Sequence, residues 1–410
     1  MRRALLALLA AACTEPASCP PADLAPLDGA PAWAFVASDY ASSAVGLLEA
    51  DGSMLREAWL DTGTAAPGLV ATLSGDVVLA SSPPAPCVLT VIDRSGTDVV
   101  TLIDACASEP SITQIDVGPT FEANPQDVLV VDGARALVSR HEPSLHPSAA
   151  ELERGNDLLA VDWRDGRVLS RVDLSALDAV DGERAYARPA RMVRLRRGAR
   201  DAIVVGLARL SEDFMRAGPG AVAVLDTATM RASEVALEGL VNCGEVDAAP
   251  GEPAVAIVTC QGASFGDAEE RRAGAGVAAL ELGEDGGVVV RSAWRAADHP
   301  ESPVFNTWSV PLSGERVVTV AMGDLRQGVG DALGLVDLSS GEATLLFEAG
   351  TAFVLGDGAY DAGARLLLLP DAHEGTIRRF EMSEPPRELS PVEASSCRGL
   401  PPREVRRIRD

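Results

Sequence analysis

The chain is a succession of short apolar runs separated by polar and glycine-containing turns. The runs are rich in Val, Leu, Ala and Ile, and no segment sustains the 3.6-residue apolar spacing of an amphipathic helix. Short aliphatic and β-branched runs bounded by Gly, Asp, Pro and Ser are typical of strands. The pattern therefore predicts an all-β protein.

Two turn motifs alternate along the chain and divide it into seven units. One is a glycine turn just before an apolar run, and the other is an apolar run that ends in an acid and a polar turn. The glycines are Gly29, Gly75, Gly133, Gly198, Gly251, Gly314 and Gly363. The acids are Glu49, Asp93, Asp162, Asp226, Glu281, Asp337 and Glu381. Consecutive acids are on average about 55 residues apart, which is the length of a propeller blade with insertions.

Each unit accommodates four strands, a to d, with the glycine turn before strand b and the acid turn after strand c. The sequence therefore predicts a seven-bladed β-propeller of four-stranded antiparallel blades over residues 22–393. Two β-sandwich domains are the alternative, but a sandwich gives no reason for turn chemistry to recur at a fixed phase. Because the units are complete between residues 22 and 393, we expect no strand exchange between the first and last blades. Residues 394–410 are then expected to form a C-terminal tail.

Two of the repeats carry a family resemblance. The segments 218–229 and 333–341 each contain an apolar strand that ends in Asp, followed by small or hydroxyl residues. They resemble the repeat of YVTN/WD40-like bacterial propellers, although the Gly-His and Trp-Asp pairs of standard WD40 repeats are absent. The resemblance covers residues 22–393 and implies the propeller fold. Similar propellers include lactonases and quinoprotein dehydrogenase subunits, whose activity depends on a metal or cofactor at the central channel.

The amino terminus has the layout of an export signal. A short basic start, Met1-Arg2-Arg3, precedes an apolar stretch over residues 4–12 that is too short to span a bilayer. The segment 9–13 resembles the lipobox of bacterial lipoproteins, which implies cleavage after residue 12 and lipid attachment at Cys13. Residues 13–21 would then be a tether, and Thr14 resembles an outer-membrane sorting signal. The alternative is a plain secretory signal with an incidental cysteine.

Six further cysteines indicate disulfide bonds, because an even number in an exported chain is typical of a disulfide framework. Cys19 lies just before the first blade and Cys397 just after the last, so we expect this pair to close the ring. Two pairs within blades are also expected, Cys87 with Cys106 in blade 2 and Cys243 with Cys260 in blade 5.

The amino-acid composition excludes several classes of function. The chain of 410 residues has 60 acidic and 35 basic side chains, a net charge of −25, and every basic residue is Arg. Such a charge argues against nucleic acid as a partner, since phosphate binding needs a basic face. The absence of Lys excludes Schiff-base lysines and the lysine of a phosphate-binding loop.

Long loops indicate where a binding site could lie. The spacing of the two turn motifs makes the b-to-c connections of blades 3, 4 and 5 about ten residues longer than those of blades 1, 2 and 7, with blade 6 between them. Long loops on a rigid scaffold commonly carry binding residues. The alternative is a set of solvated loops whose Arg and Glu side chains pair with one another. The candidates for a binding face are Arg140, His141, His146, Arg209, Phe214, Arg216, Phe265, Arg271 and Arg326.

The sequence contains only weak matches to catalytic motifs. Gly262-Ala263-Ser264-Phe265-Gly266 matches the nucleophile elbow, but no helix is predicted after it. The four histidines lack the helical His-x-x-x-His spacing, and His141 and His146, which share one loop, have no third metal ligand nearby in sequence. We therefore expect a monomeric, non-catalytic binding or scaffold module, anchored by its lipid in the bacterial outer membrane, without a cofactor beyond weak adventitious calcium. Its partner would be an envelope protein, a glycan or a small molecule. The alternative is a propeller enzyme, either a lactonase-like hydrolase or a quinoprotein dehydrogenase-like subunit.

Overall fold

A computed structural model describes residues 22, 24, 26–27, 29–181, 183–263, 268–302, 307–395 and 398–409. Within these residues the strands form seven four-stranded antiparallel sheets and one two-stranded hairpin. The innermost strands of successive sheets contact one another around a central channel. The prediction of an all-β, seven-bladed propeller is confirmed.

The first four blades follow in chain order, each given from its first strand. Blade 1 contains β1 (Trp33–Ser38), β2 (Ser43–Leu48) and β3 (Met54–Asp61). Blade 2 contains β4 (Val77–Leu79), β5 (Val88–Asp93), β6 (Val99–Asp104) and β7 (Ile112–Asp116). Blade 3 contains β8 (Pro125–Val130), β9 (Arg135–Pro143), β10 (Gly155–Asp162) and β11 (Arg167–Asp173). The hairpin of β12 (Ala179–Asp181) and β13 (Glu183–Ala185) precedes blade 4, which contains β14 (Pro189–Arg197), β15 (Arg200–Leu207), β16 (Pro219–Asp226) and β17 (Ala232–Val241).

The remaining blades complete the ring. Blade 5 contains β18 (Glu245–Ala248), β19 (Val255–Gln261), β20 (Ala275–Leu282) and β21 (Val288–Arg295). The short helix α1 (Ala268–Ala273) lies between β19 and β20. Blade 6 contains β22 (Trp308–Pro311), β23 (Arg316–Ala321), β24 (Ala332–Asp337) and β25 (Ala343–Glu348). Blade 7 contains β26 (Ala359–Asp361), β27 (Leu366–Asp371), β28 (Thr376–Glu381) and β29 (Arg387–Glu393).

The core lies between neighbouring blades. Strands b and c are near-continuous apolar runs because other blades cover both of their faces, whereas the outermost strands face solvent on one side. In blade 3, for example, seven of the eight residues of β10 are buried, while β11 has no fully buried residue. Val204, Val258 and Ala278 belong to one apolar cluster that joins blades 4 and 5.

The ring is closed by the carboxyl-terminal segment, which corrects the predicted boundary at residue 393. β30 (Pro402–Arg407) pairs antiparallel with β1 and supplies the innermost strand of blade 1. Blade 1 therefore combines three amino-terminal strands with one carboxyl-terminal strand, and residues 402–407 are not part of a tail. The hydrophobic pattern does not predict β30, because Val405 is the only strongly apolar residue of this strand. Its side chain is fully buried.

In blade 2 the glycine and acid turns lie one strand earlier than predicted. Gly75 precedes β4, which is strand a, and Asp93 ends β5, which is strand b. In the other six blades the glycine turn does precede strand b and the acid does follow or end strand c. The carboxylate of Asp93 accepts hydrogen bonds from the backbone N–H and hydroxyl of Ser74, at 2.7 Å each, so the acid ties the preceding turn of its own blade.

Two of the three predicted disulfides are confirmed. Cys87 pairs with Cys106 and Cys243 with Cys260. In the first bond, Cys87 directly precedes strand b of blade 2 and Cys106 follows strand c. The predicted pair of Cys19 and Cys397 lies outside the described residues, as does Cys13. Two disulfides suggest an oxidising, exported compartment.

Candidate functional site

The long connections fall where the sequence places them. The b-to-c connections are residues 144–154, 208–218, 262–274 and 322–331 in blades 3 to 6, compared with 39–42, 94–98 and 372–375 in blades 1, 2 and 7. In an antiparallel blade these connections emerge at the same end as the d-to-a connections that lead to the next blade. We call this end of the propeller the loop face.

The Arg140 side chain is buried and ion-paired in the interior of the propeller. Its guanidinium donates two hydrogen bonds to the carboxylate of Asp157, at 2.8 and 2.7 Å, and a third to the carbonyl of Val117 at 3.0 Å. Arg171 binds the same carboxylate at 2.7 Å. Only 1 % of the Arg140 side chain is exposed, so its prediction as a binding-face residue is wrong. Its partner lies opposite on β10, which turns the guanidinium inward.

Arg188 links the end of strand β9 in blade 3 to the long loop of blade 4. This fully buried residue precedes β14 and pairs with Glu142 of blade 3 at 2.5 Å. Its guanidinium also donates to the carbonyl of Ser211 in blade 4 at 3.1 Å. The guanidinium carbon lies 3.9 Å from the centre of the Phe214 ring, a cation–π contact in a desolvated position. Nothing in the sequence pattern marks Arg188 as a site residue, because it lies outside the long loops.

His141 belongs to the same buried layer. Its ring lies parallel to that of Phe214, with 6.1 Å between the ring centres. Burial lowers the pKa of His141. Although burial alone would raise the pKa of Glu142, the contacts with His141 and Arg188 lower it to about 2. Glu142 is therefore ionised and holds Arg188 in place at neutral pH.

Arg209 is a second internal brace. Its guanidinium donates to the carbonyl of Leu177 at 2.7 and 3.1 Å, to that of Pro219 at 3.1 Å, and to the carboxylate of Glu234. The residue is buried, so its prediction as a binding-face contact is also wrong. The buried side chains of Arg140 and Arg209 thus pair with carboxylates on strands β10 and β17, which differs from both the predicted binding face and the alternative of solvated loops.

The other predicted residues have mixed positions. His146, Arg216 and Arg326 are exposed on the loop face. Arg271 in α1 is half-buried, with its guanidinium 3.6 Å from the carboxylate of Asp324. Phe265 lies outside the described residues.

A pocket opens on the loop face beside blade 3. It has a volume of about 390 Å³ and lies between the b-to-c loop 144–154 and the connection 174–188. We call it the loop pocket. Half or more of the side chain is exposed in Arg154 and Arg184, which pair with Glu151 and Asp178 respectively. Its lining includes His146, Arg154, Asn156, Arg171, Arg184 and Tyr186.

A second polar cluster fills the central channel. Arg191 of β14 lies 2.5 Å from Glu245 of blade 5 and 3.3 Å from Glu404 of β30, and it also pairs with Asp357 beside blade 7. Four blades thus meet at one guanidinium. We call the cluster the channel hub. Its members are Arg191, Glu245, Asp247, Asp357, Glu404 and Arg406.

Burial raises the pKa of three carboxyl groups in the channel hub. Burial raises the pKa of Glu404 to about 7 and that of Asp247 to about 6, and it raises the pKa of Asp357 well above its usual range. Four carboxyl groups face two guanidinium groups in this cluster, so full ionisation would leave an excess of negative charge. Asp247 also lines two adjoining pockets of about 550 and 300 Å³ at the end of the channel opposite the loop face.

Neither a metal group nor a membrane-spanning helix is found in the part of the chain that the structure describes. No three His, Cys, Asp or Glu side chains there form a group that could hold a metal ion. No helix there is long and apolar enough to cross a bilayer.

The ring of seven four-stranded blades places the chain in the β-propeller class. No family model matches the sequence, and no curated protein matches it either. Among solved structures, a periplasmic gluconolactonase from Pseudomonas aeruginosa is similar, with a TM-score of 0.54 and 14 % identity over 92 % of this chain and 99 % of the other. A hypothetical selenium-binding protein from Sulfolobus tokodaii has a TM-score of 0.58 and 10 % identity over 92 % and 94 % of the two chains.

A third similar structure is a protein of unknown function from Desulfotomaculum acetoxidans, with a TM-score of 0.51 and 11 % identity over 92 % of this chain and 98 % of the other. These identities are low enough that the likeness shows the fold alone. The same fold supports many unrelated activities, so function has to be argued from the sites of this chain.

Proposed function

We propose that this protein is an exported, lipid-anchored, non-catalytic binding propeller whose ligand site is the loop pocket of blade 3. The observation that carries the proposal is the buried layer below the pocket. Arg188 joins the end of β9 in blade 3 to the long loop of blade 4, and Arg140 ties β9 to the connection between blades 2 and 3. A pocket supported in this way is pre-organised, which reduces the entropy lost when a ligand binds.

The lining of the loop pocket favours an acidic sugar. Arg154 and Arg184 present exposed guanidinium groups, which bind carboxylates in a bidentate geometry. The ring of Tyr186 lies 5.0 Å from the Arg184 guanidinium and supplies an aromatic surface, while Asn156 adds an amide. The lining contains three arginines, Arg154, Arg171 and Arg184, and one acid, Asp173, in a chain whose net charge is −25.

Calorimetric titration with glucuronate and with short polygalacturonate chains tests this site. We expect binding that weakens about tenfold in Arg184→Gln and in Arg154→Gln, because each loses a charge-assisted contact. The matched control is Arg167→Gln, an exposed arginine at the tip of a blade 3 hairpin outside the pocket. Absence of binding to the wild type, or equal binding in all variants, would contradict the acidic-sugar site.

The lipid anchor has an independent test. Cys13→Ser should abolish incorporation of labelled palmitate and move the protein from the membrane fraction to the soluble periplasm. Incorporation that survives the substitution would contradict lipidation at Cys13 and leave the plain secretory signal.

The channel mouth favours one alternative function, lactone hydrolysis. Burial raises the pKa of Asp247 to about 6, and this residue lines both channel pockets, so its carboxyl could exchange a proton with a bound substrate. The gluconolactonase among the similar structures makes gluconolactone the first substrate to assay. A pH-stat assay should show turnover that Asp247→Asn removes. Equal rates with wild type, Asp247→Asn and buffer alone would exclude this alternative.

A further inference from the structure

The exposed large hydrophobic side chains are distributed unevenly over the molecule. Within the described residues, one group lies on outer strands and consists of Leu169, Val289, Val290 and Leu345. Every other member lies in a b-to-c or d-to-a connection, on the loop face. These are Tyr40, Val70, Leu145, Leu152, Met215, Leu325, Val329 and Phe353. Exposed apolar groups gathered on one face of a molecule are typical of an interaction surface.

Three of these residues lie on two adjacent loops of blades 6 and 7. Leu325 and Val329 belong to the b-to-c loop 322–331, and Phe353 belongs to the d-to-a connection 349–358. Their exposed fractions are 62 %, 46 % and 52 %. We call these three residues the apolar patch. The patch shares no residue with the loop pocket of blade 3.

The buried carboxylate of Asp331 holds the two loops together. It accepts hydrogen bonds from the backbone N–H of Gly323 at 2.8 Å in one loop, and of Phe353 at 2.9 Å and Val354 at 2.7 Å in the other. A Cβ atom at Gly330 would lie 1.8 Å from the carbonyl oxygen of Ala349, which shows how closely the loops approach. The patch is therefore displayed on an ordered support.

The backbone of Phe353 has an uncommon conformation. Its φ angle is 64°, in the left-handed region that is unfavourable for a bulky side chain. Tyr40, another exposed aromatic residue on the loop face, has a φ angle of 66°. The exposed ring of Phe353 contributes little to core packing, so core packing does not explain its strained backbone. Strained backbone positions are concentrated at functional sites.

We infer that the apolar patch is a docking surface for a basic protein. The net charge of the chain indicates which class of partner would bind the apolar patch. The net charge of −25 disfavours a second copy of this chain and disfavours an anionic lipid surface, whereas it attracts a cationic partner. The loop face carries the exposed acids Asp39, Glu212, Asp213 and Glu374 as well as the exposed Arg216 and Arg326, so the expected attraction follows from the net charge of the whole chain. This inference goes beyond the proposed ligand site, because the surface and the class of partner are both different.

Short fluorescent peptides test the docking surface on the complete mature chain. The three peptides have alternating Lys and Leu, alternating Glu and Leu, and alternating Lys and Ser, and binding is followed by fluorescence anisotropy. We expect the Lys/Leu peptide to bind at least about tenfold more tightly than the other two, since apolar contact and positive charge are both required. The double variant Leu325→Ser, Phe353→Asn should weaken that binding about tenfold. Asn tolerates the left-handed conformation, so this variant should still fold.

The matched control is Val289→Ser with Leu345→Ser, which removes two exposed apolar groups from outer strands and should leave binding unchanged. Equal binding of the Lys/Ser peptide, or an unaffected double variant, would overturn the inference and show charge attraction alone. A wild-type dimer in sedimentation velocity that the double variant dissociates, or patch-dependent binding to phosphatidylglycerol vesicles, would assign the surface to a different occupant and also overturn it. These outcomes are independent of glucuronate binding at the loop pocket.

Discussion

Trp33 at the start of β1 lies directly opposite Arg407 at the end of β30, and the Arg407 guanidinium carbon is 5.8 Å from the centre of the indole ring. The first and last strands of the propeller are therefore neighbours in one sheet. Val405 of β30 is fully buried against blade 1, and Glu404 reaches into the channel hub. Ring closure thus couples the core of blade 1 to the polar centre of the molecule.

Removal of residues 402–410 should abolish cooperative folding. Without β30, the inner edge of β1 loses its partner and Arg191 loses one of its carboxylates. Unfolding in urea, followed by circular dichroism, measures the effect. The control is deletion of residues 409–410 alone, which leaves β30 complete. A midpoint for the longer deletion equal to that of the full chain would contradict closure by β30.

The contrast between predicted and observed strands has a physical cause. Strands b and c were readable because they are covered on both faces and consist of continuous apolar residues, as in β10 and β16. β30 was not readable because Glu404 and Arg406 line the channel, where they are paired with each other and with residues from other blades. Partners so distant in sequence cannot be recognised from local pattern.

The candidate site, like the strands, was predictable from the sequence only in part. The lengths of the loops follow from the spacing of turn motifs, and the long connections of blades 3 to 6 are observed. The direction of each charged side chain depends on its neighbours across the sheet, and sequence spacing carries no such information. Arg140 points inward because Asp157 lies opposite it, and Arg209 because Glu234 and the carbonyl of Leu177 lie within reach.

Arg191→Met should lower the free energy of unfolding by about 3–5 kcal/mol, the cost of leaving buried carboxylates without their cation. Arg196→Met on the same strand is the matched control, because that side chain is exposed, and its effect should stay within about 0.5 kcal/mol. Urea unfolding of both variants gives the comparison. Equal stability of the two variants would show that the channel hub contributes nothing to the fold.

Stability should decrease as the pH rises through neutrality. The pKa of Glu404 is raised to about 7 in the folded protein, so between about pH 4.5 and 7 the folded state binds more protons than the unfolded state. The free energy of unfolding then falls as the pH increases, by roughly 1–3 kcal/mol for this group. Glu404→Gln, which cannot ionise, should flatten the curve measured by urea unfolding from pH 5 to 8. A wild-type stability that rises over this range would contradict the raised pKa.

Loss of either disulfide should destabilise the protein by about 3 kcal/mol. The bonds span sequence separations of 19 and 17 residues, and loops of this size restrict the unfolded chain by a similar amount. The variants are Cys87→Ser with Cys106→Ser, and Cys243→Ser with Cys260→Ser. Because the bonds lie in blades 2 and 5, their effects should add within about 0.5 kcal/mol in the fourfold variant. Strongly non-additive midpoints would contradict independent contributions.

Phe353→Gly should stabilise the protein relative to Phe353→Ala. Both substitutions remove the exposed ring, but only glycine adopts the left-handed conformation of residue 353 without a steric penalty. The penalty for alanine is about 1–2 kcal/mol, partly offset by the greater freedom of glycine in the unfolded chain. Urea unfolding should therefore rank Gly above Ala by about 1 kcal/mol. A reversed order would show that the backbone at residue 353 is relaxed. The predicted order, together with weaker binding of the Lys/Leu peptide by both variants, would mean that the ring contributes to binding and that the left-handed backbone at residue 353 favours glycine.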